Sequence, residues 1–83
     1  MSNFEDYKNN KILQTLGKLI KALRKQRRWK LSTLSYYAGI SPSTLSRIES
    51  GESDPKYSTI NKIADAFELS LEDFIKKLNI EEL

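Results

Sequence analysis

The sequence of 83 residues contains no cysteine and no histidine. Without cysteine the chain forms no disulfide and offers no thiolate to a metal, and without histidine it lacks the commonest general base and metal ligand. Only hydroxyls, lysines and carboxylates remain for catalysis, and no spacing in the sequence assembles them into a nucleophile with a base. We therefore predict that the protein is not an enzyme and uses no metal or other cofactor.

Long hydrophobic runs are also absent. No segment approaches the roughly 18 consecutive apolar residues typical of a membrane span. The first ten residues, MSNFEDYKNN, have neither the basic start nor the apolar stretch of a signal peptide. A chain of this length buries only about 60% of its unfolded surface, which leaves room for one small core. The sequence therefore predicts a single cytoplasmic domain that does not associate with a membrane.

Acidic residues are missing from one long segment of the chain. Residues 11–30 include eight basic residues and no acidic one, whereas residues 65–83 include six acids and two lysines. This uneven charge favours an anionic partner, and nucleic acid comes first because attraction to phosphate does not depend on sequence. A well-solvated helix face explains the same charges, so charge alone does not decide between the two.

Apolar residues recur with helical periodicity in five segments, and no segment shows the alternation typical of a strand. We predict an all-α fold with one domain over residues 11–83 and a flexible N-terminal tail over residues 1–10, for which an extension of the first helix is the alternative. The predicted helices cover residues 11–28, 31–38, 42–50, a segment from a cap at Ser58 to near Glu68, and residues 70–78.

Turn signals separate the second and third predicted helices. Gly39 suits the left-handed conformation that ends a helix, and Ser41 offers a hydroxyl that caps the next one. Pro42 then occupies the first helical position, where its missing N–H costs nothing, and Gly51 ends the third helix. Two helices joined by the residues GIS are the sequence form of a helix-turn-helix.

The third predicted helix has an unusual outer surface. Its apolar residues, Leu45 and Ile48, set the inward direction, and the outward arc holds Ser43, Ser46, Arg47 and Ser50. Serine is a poor helix former, which indicates that this surface is suited to a contact. Short hydroxyls allow a close approach to a groove floor, and arginine bonds guanine O6 and N7. A capped surface helix with a serine-rich face is the competing structural interpretation.

These segments resemble the Cro/C1-type helix-turn-helix family of phage and bacterial transcriptional regulators. The resemblance covers residues 16–75 and rests on the segments LGKLIKALRKQRRW, LSTLSYYAGIS, STLSRIESG and STINKIADAFELSLEDF. It implies a five-helix, lambda repressor-like domain with a central helix-turn-helix. It also implies binding of double-stranded DNA in the major groove, a two-fold symmetric operator and repression of transcription.

The resemblance implies roles for individual residues. Three residues are expected to contact base edges: Ser43, Thr44 and Arg47. Ser41 and Lys56 occupy family positions that contact phosphates. Outside the resemblance, Lys30 and Ser46 are also expected to contact phosphates, with Lys30 supplying as a charge the contact that relatives make from the position of Leu31. Arg24 and Glu49 are expected to form a structural ion pair, because a partly buried carboxylate needs a partner.

The sequence departs from the family pattern at several of these positions. Pro42 replaces a polar residue that often contacts a base, and Lys30 stands where a Ser or Thr cap is usual. Glu52 and Asp54 place negative charge in a loop that is often basic. These acids favour an alternative, in which the same fold acts mainly through a protein partner, as an interaction module or as the antitoxin of a toxin pair. A phage-type repressor and a controller of restriction-modification genes remain equally compatible with the sequence.

The last predicted helix carries a wider apolar arc than a small core requires. We predict that its residues Phe74, Ile75 and Leu78 form a homodimer interface, and Ile80 and Leu83 continue the same arc. A homodimer would place two recognition helices about 34 Å apart, one turn of DNA. The competing explanation is that these residues close the core of a monomer.

Aromatic residues cluster near the second helix. Trp29 is predicted to fill the space between the first helix and the second or fifth. Tyr36 projects away from the core stripe of its helix and is expected to meet a phosphate or a partner. For Tyr37, packing and contact explain the position equally well.

Overall fold

The computed structural model describes the backbone of residues 4–78 and the side chains of residues 10–78. It confirms the predicted all-helical fold, with five α-helices and no strand in that range. The helices are α1 (Phe4–Gln26), α2 (Leu31–Ala38), α3 (Pro42–Glu49), α4 (Tyr57–Ala66) and α5 (Leu71–Lys76). Ile80 and Leu83 lie outside the described residues. None of the helices in residues 4–78 has the length and apolar character needed to span a bilayer.

The first helix begins well before its predicted start. Residues 4–10, expected in a flexible tail, form the beginning of α1. No proline or glycine occurs between Phe4 and Gly17, and a helix that is already nucleated extends at low cost through residues that do not break it. At its other end α1 stops at Gln26, before the predicted residue 28, because Arg28 adopts the left-handed conformation with a φ of 58°.

The turn between α2 and α3 has the predicted conformation. Gly39 is left-handed with a φ of 69°, and its N–H donates to the Ser35 carbonyl at 3.0 Å. The buried Ser35 hydroxyl donates to the Ile40 carbonyl, so this polar side chain is satisfied inside the core. Pro42 is the first residue of α3, directly after Ser41. Together these bonds hold α2 and α3 in one fixed arrangement.

The start of α4 differs from the prediction. Lys56, not Ser58, occupies the N-cap position, and its side chain makes no capping hydrogen bond. Ser58 lies inside the first turn of the helix. The helix also ends earlier, at Ala66, since the left-handed Glu68 with a φ of 61° turns the chain away. The predicted cap at Ser58 is therefore wrong, because this serine lies one residue inside the helix.

The core is built from all five helices. Its fully buried side chains on α1, α2 and α3 include Ile20, Leu34 and Leu45. Among residues 10–78 the buried apolar residues are Leu16, Ile20, Leu34, Ala38, Leu45, Ile48, Ile63, Ala64, Phe67, Phe74 and Leu78. Because each helix contributes to this one cluster, the position of α3 depends on the packing of every other element.

The helices α1 and α3 make an unusually close contact. A Cβ atom added to Gly17 would lie 2.4 Å from the Glu49 carbonyl oxygen and 2.6 Å from that of Ile48. Both distances are far below van der Waals contact, so only glycine allows this approach. The C-terminal end of α3 therefore rests directly on the backbone of α1.

The structure corrects two of the three residues predicted for the dimer interface. Phe74 is completely buried and Leu78 is 8% exposed within the single chain, where both pack into the core. Only Ile75 presents a large exposed surface, at 43%. The apolar arc of α5 thus serves mainly to close the domain, because Phe74 and Leu78 are needed to complete the core of the single chain.

Candidate nucleic-acid interface

The outward face of α3 carries four of the seven residues predicted to contact DNA: Ser43, Thr44, Ser46 and Arg47. Leu45 and Ile48 point into the core and are buried, which fixes the rotation of the helix. The side chains on the opposite side are all exposed: Ser43, Thr44, Ser46, Arg47 and Ser50. We call these five residues the recognition face. It is a continuous polar surface of four hydroxyls and one guanidinium.

The N-terminal end of the recognition face is organised around Ser41. Its Oγ accepts a hydrogen bond from the Thr44 N–H at 3.3 Å, and its hydroxyl donates to Thr44 Oγ1 at 2.9 Å. The Leu45 N–H donates to the Ser41 carbonyl at 3.0 Å. Since Pro42 has no N–H, the Ser43 amide is the first-turn donor that remains without a partner within residues 10–78. The positive end of the helix dipole adds to its affinity for an anion.

The cap changes what two hydroxyls can offer. The Ser41 hydroxyl bonds Thr44 Oγ1 and also lies 3.4 Å from Ser43 Oγ, where either hydroxyl can donate, so Ser41 is engaged within the first turn of the helix. Thr44 accepts the bond from Ser41 and keeps its own hydrogen for a contact outside the helix. The sequence alone did not show this exchange, because it depends on the rotamers of both side chains.

Arg47 lies in the middle of the recognition face. Its side chain is exposed, and no carboxylate of residues 10–78 lies within 4.0 Å of it. The five N–H donors of the guanidinium are therefore free to make the bidentate contact that guanine offers in the major groove.

The C-terminal end of the recognition face carries a carboxylate. The Ser50 hydroxyl donates to Glu52 Oε1 at 2.8 Å and approaches the Arg47 carbonyl at 3.0 Å. The Glu52 N–H donates to that same carbonyl at 2.9 Å. These bonds place Glu52 beside Ser50. The sequence shows an acidic residue after Gly51 but not that its charge reaches this surface.

An ion pair holds the recognition helix from behind. Arg24 Nε donates to Glu49 Oε2 at 2.8 Å, and Arg24 Nη2 donates to Oε1 at 3.0 Å. A third bond runs from Arg24 Nη1 to the Trp29 carbonyl at 2.9 Å. The side chains are only 12% and 8% exposed. The hydrogen bonds to Glu49 are the main cause of a raised pKa for Arg24. Burial lowers the pKa by a smaller amount, and the negative charge of Glu49 raises it further.

Aromatic stacking fixes the junction between α1 and α2. The Trp29 ring lies between those of Tyr37, at 5.0 Å, and Phe67, at 5.7 Å. Arg27 covers Trp29 at 5.0 Å and donates to the Phe67 carbonyl at 2.7 Å. These contacts assign Trp29, Tyr37 and Arg27 to the support of α2. Tyr36 is 81% exposed, with its ring edge against Tyr37.

Two lysines occupy helix N-caps beside the helix-turn-helix. Lys30 precedes α2 and Lys56 precedes α4, and neither side chain makes a capping bond. A cation at this end of a helix meets the wrong sign of the dipole. Their exposed charges therefore stabilise neither helix and remain available to an anionic partner. For Lys56 no sequence signal indicates this position, because Ser58 has the stronger capping signal.

Comparison with known proteins identifies the family. Residues 20–74 match the helix-turn-helix family HTH_3. The chain belongs to the Cro/C1-type helix-turn-helix family, as its sequence predicted. Within the described residues no group of acidic side chains is arranged to hold a metal ion.

Two curated relatives are transcription factors. The chain is 36% identical over 66 residues to the HTH-type transcriptional repressor RghR of Bacillus subtilis, and the match covers 78% of this chain and 49% of RghR. It is 40% identical over 64 residues to the HTH-type transcriptional regulator SutR of Escherichia coli, covering 77% of this chain and 36% of SutR. The chain thus spans half or less of the length of these curated relatives.

Solved structures share the fold. An HTH_3 family transcriptional regulator from Vibrio cholerae is 31% identical with a TM-score of 0.78, and the match covers 90% of this chain and 42% of that one. The restriction-modification controller protein C.AhdI from Aeromonas hydrophila has a TM-score of 0.71 at 22% identity, covering 75% of this chain and 94% of C.AhdI. At this identity the second likeness is evidence for the fold alone.

Proposed function

We propose that this domain binds double-stranded DNA with the recognition face in the major groove and regulates transcription through that contact. The observation that carries the proposal is the exposed row of hydroxyls around Arg47, held outward by the buried Leu45 and Ile48. Family membership supports the same function, since the curated relatives are named as transcriptional regulators.

Base contacts come from the N-terminal half and the middle of α3. Arg47 donates both of its parallel N–H groups to guanine, while Ser43 and Thr44 contact bases one turn earlier. Pro42 adds only an apolar contact, such as one with a thymine methyl group. The exposure of all four residues supports this assignment.

Phosphate contacts flank these residues. Lys30 and Lys56 supply charge from the starts of α2 and α4, where neither lysine caps its helix. The free Ser43 amide binds a phosphate at the N-terminus of α3 beside Ser41, and Ser46 contributes a hydroxyl from the recognition face. Most of the binding free energy at low salt comes from such contacts.

The bound species is a homodimer on a two-fold symmetric operator. Ile75 is the exposed apolar residue of α5. It borders a groove of about 220 Å³ between α1, α4 and α5, whose apolar lining includes Ile12, Leu13, Ile60 and Leu71. A second copy that inserts Ile75 into this groove would make a self-complementary contact of the kind a two-fold axis requires. Repression follows when the operator overlaps a promoter.

The test is selection of bound sequences from a random duplex library by the purified protein. We expect an inverted repeat with half-sites one helical turn apart, about 10.5 base pairs. The Arg47→Ala variant should lose about 1–3 kcal/mol of binding free energy and relax the preference at one base pair of each half-site. Lys62→Ala, an equal change of charge at an exposed position of α4, should leave the selected motif intact. A library without any enriched motif would contradict the proposal.

A second candidate function is the binding of a regulatory protein. The observation that favours it is Tyr36, a large aromatic side chain that is 81% exposed on α2. If a protein partner binds this residue, Tyr36→Ala should abolish partner binding while Arg47→Ala leaves it unchanged. Loss of DNA binding in Tyr36→Ala, with partner binding intact, would instead assign Tyr36 to the DNA interface.

A further inference from the structure

The carboxylate of Glu52 stands beside a surface that otherwise suits DNA. From its placement we infer that Glu52 limits the affinity of the recognition face for DNA without changing the base sequence that is selected. This inference rests on the proposed function. It explains an acidic residue that the sequence presented only as a departure from the family pattern.

The position of Glu52 is determined by the fold. Gly51, with a φ of 80°, turns the chain at the end of α3. A Cβ atom at Gly51 would lie 3.1 Å from the Gln14 side chain, so the turn rests closely on α1. The backbone bond to the Arg47 carbonyl and the bond from Ser50 then hold the carboxylate at the C-terminal edge of the recognition face.

The hydrogen bonds of Ser50 determine what this edge offers to a phosphate. A serine hydroxyl has one hydrogen, and in Ser50 this hydrogen is directed between Glu52 and the Arg47 carbonyl. The C-terminal edge of the recognition face therefore presents acceptors only. Phosphate oxygens are also acceptors, so in this arrangement Ser50 and Glu52 offer no donor to a DNA backbone.

The carboxylate of Glu52 keeps its negative charge exposed at this edge. No cation of residues 10–78 lies within 4.0 Å of the Glu52 carboxylate, so its negative charge is not neutralised locally. A recognition helix contacts base edges mainly through its N-terminal residues. Glu52 follows the C-terminus of the helix, where the phosphate backbone and not a base edge is the nearer part of the duplex. Repulsion from phosphate is independent of sequence, so it lowers affinity for every site alike.

The experiment compares the wild-type chain with Glu52→Gln, which removes the charge but keeps an oxygen that accepts from Ser50. The probes are the duplex motif selected by the wild-type protein and a scrambled duplex of equal length. Dissociation constants are measured between about 50 and 200 mM salt. One released counterion contributes about −0.9 to the logarithmic salt slope. We therefore expect Glu52→Gln to bind both duplexes more tightly, with an advantage about three-fold larger at the lower salt.

The matched control is Glu72→Gln, the same change of charge at an exposed position of α5. It should alter neither affinity nor salt slope to this extent, and circular dichroism of both variants should match that of the wild-type chain. Equal tightening in the control would overturn the inference, because net charge alone would then explain the effect. Unchanged binding by Glu52→Gln would also overturn it.

Two further outcomes are distinct. A changed base preference at one position, with weaker binding to the selected motif, would show that Glu52 contacts a base and would overturn the affinity-limiting role. Failure of the wild-type chain to bind any duplex would overturn the proposed function itself. That second failure is visible before any variant is compared.

Discussion

The two ends of α3 differ in what they offer to an anion. At the N-terminal end, the Ser43 amide and the helix dipole attract negative charge, and the Ser41 cap holds the first turn in place. At the C-terminal end, Ser50 bonds Glu52, whose carboxylate has no cation of residues 10–78 within 4.0 Å. A recognition helix with this polarity has one end suited to phosphate and one end that opposes it. Two substitutions test how each end is held, and a third tests the neighbouring helix α2.

The largest effect is expected from breaking the support of the C-terminal end. Arg24→Leu leaves the Glu49 carboxylate almost buried without its partner, which should lower the free energy of unfolding by about 3 kcal/mol. For a domain of this size the melting temperature should fall by roughly 10–20 °C. Thermal unfolding followed by circular dichroism measures the change.

The control for this prediction is Lys25→Leu, because Lys25 is exposed on the same helix. The double variant Arg24→Leu/Glu49→Leu should recover part of the loss, since no buried charge then remains. Because the pKa of Arg24 is raised in the folded state, the pair stabilises the fold below the ordinary arginine pKa. That stabilisation is lost only as the pH rises through the raised value. An unfolding free energy of Arg24→Leu equal to that of the wild-type chain would show that the pair contributes nothing.

A smaller effect is expected from removing the N-terminal cap. Ser41→Ala deletes the acceptor for the Thr44 N–H and should destabilise the fold by about 1 kcal/mol. It should also weaken DNA binding, because the first turn of α3 is then less ordered. Urea unfolding and titration with the selected duplex measure the two effects.

Ser70→Ala offers a matched comparison for this cap. Ser70 caps α5 with an equivalent bond, to the Asp73 N–H at 3.1 Å. Its removal should destabilise the fold to a similar extent while the remaining folded protein keeps its affinity for DNA. Equal losses of DNA affinity in the two variants would mean that the N-terminal end of α3 has no special role in binding.

The smallest effect is expected from a substitution at the N-cap of the neighbouring helix α2. Lys30→Ser replaces an unfavourable cation at the N-cap of α2 with a residue that caps, and should stabilise the fold by about 0.5–1 kcal/mol. The same variant should lose one phosphate contact and reduce the logarithmic salt slope of DNA binding by about 1. Chemical denaturation should show that the variant is more stable, and salt titrations should show that it has lost a phosphate contact. A variant that is stabilised with an unchanged salt slope would remove Lys30 from the interface.

Much of the fold was predictable because its signals are local. The turn at Gly39, Ser41 and Pro42 depends on backbone preferences of single residues, and α2 and α3 have nearly the predicted bounds. The pairing of Arg24 with Glu49 was also anticipated, from the family resemblance. The structure places these two side chains within hydrogen-bond distance although they are far apart in sequence.

Other features were not predictable because they depend on competition between neighbours. Lys56 and Ser58 both stand near the start of α4, and the helical pattern alone favoured the serine as the cap. Phe74 and Leu78 share an apolar arc with Ile75, and periodicity does not say which part of an arc is covered by the same chain. The bond from Ser50 to Glu52 requires the reversal of the chain at Gly51.

The sequence alone specifies the helical class, the helix-turn-helix and the composition of the recognition face. Helical periodicity, capping and glycine conformation act over a few residues, so they can be deduced without a tertiary structure. The tertiary structure is needed to see which side chains of α5 are buried and which hydroxyls are engaged in hydrogen bonds. It also decided that an acidic residue beyond α3 lies on the surface proposed to meet DNA. These properties arise from contacts between segments that folding brings together, and no local preference specifies them.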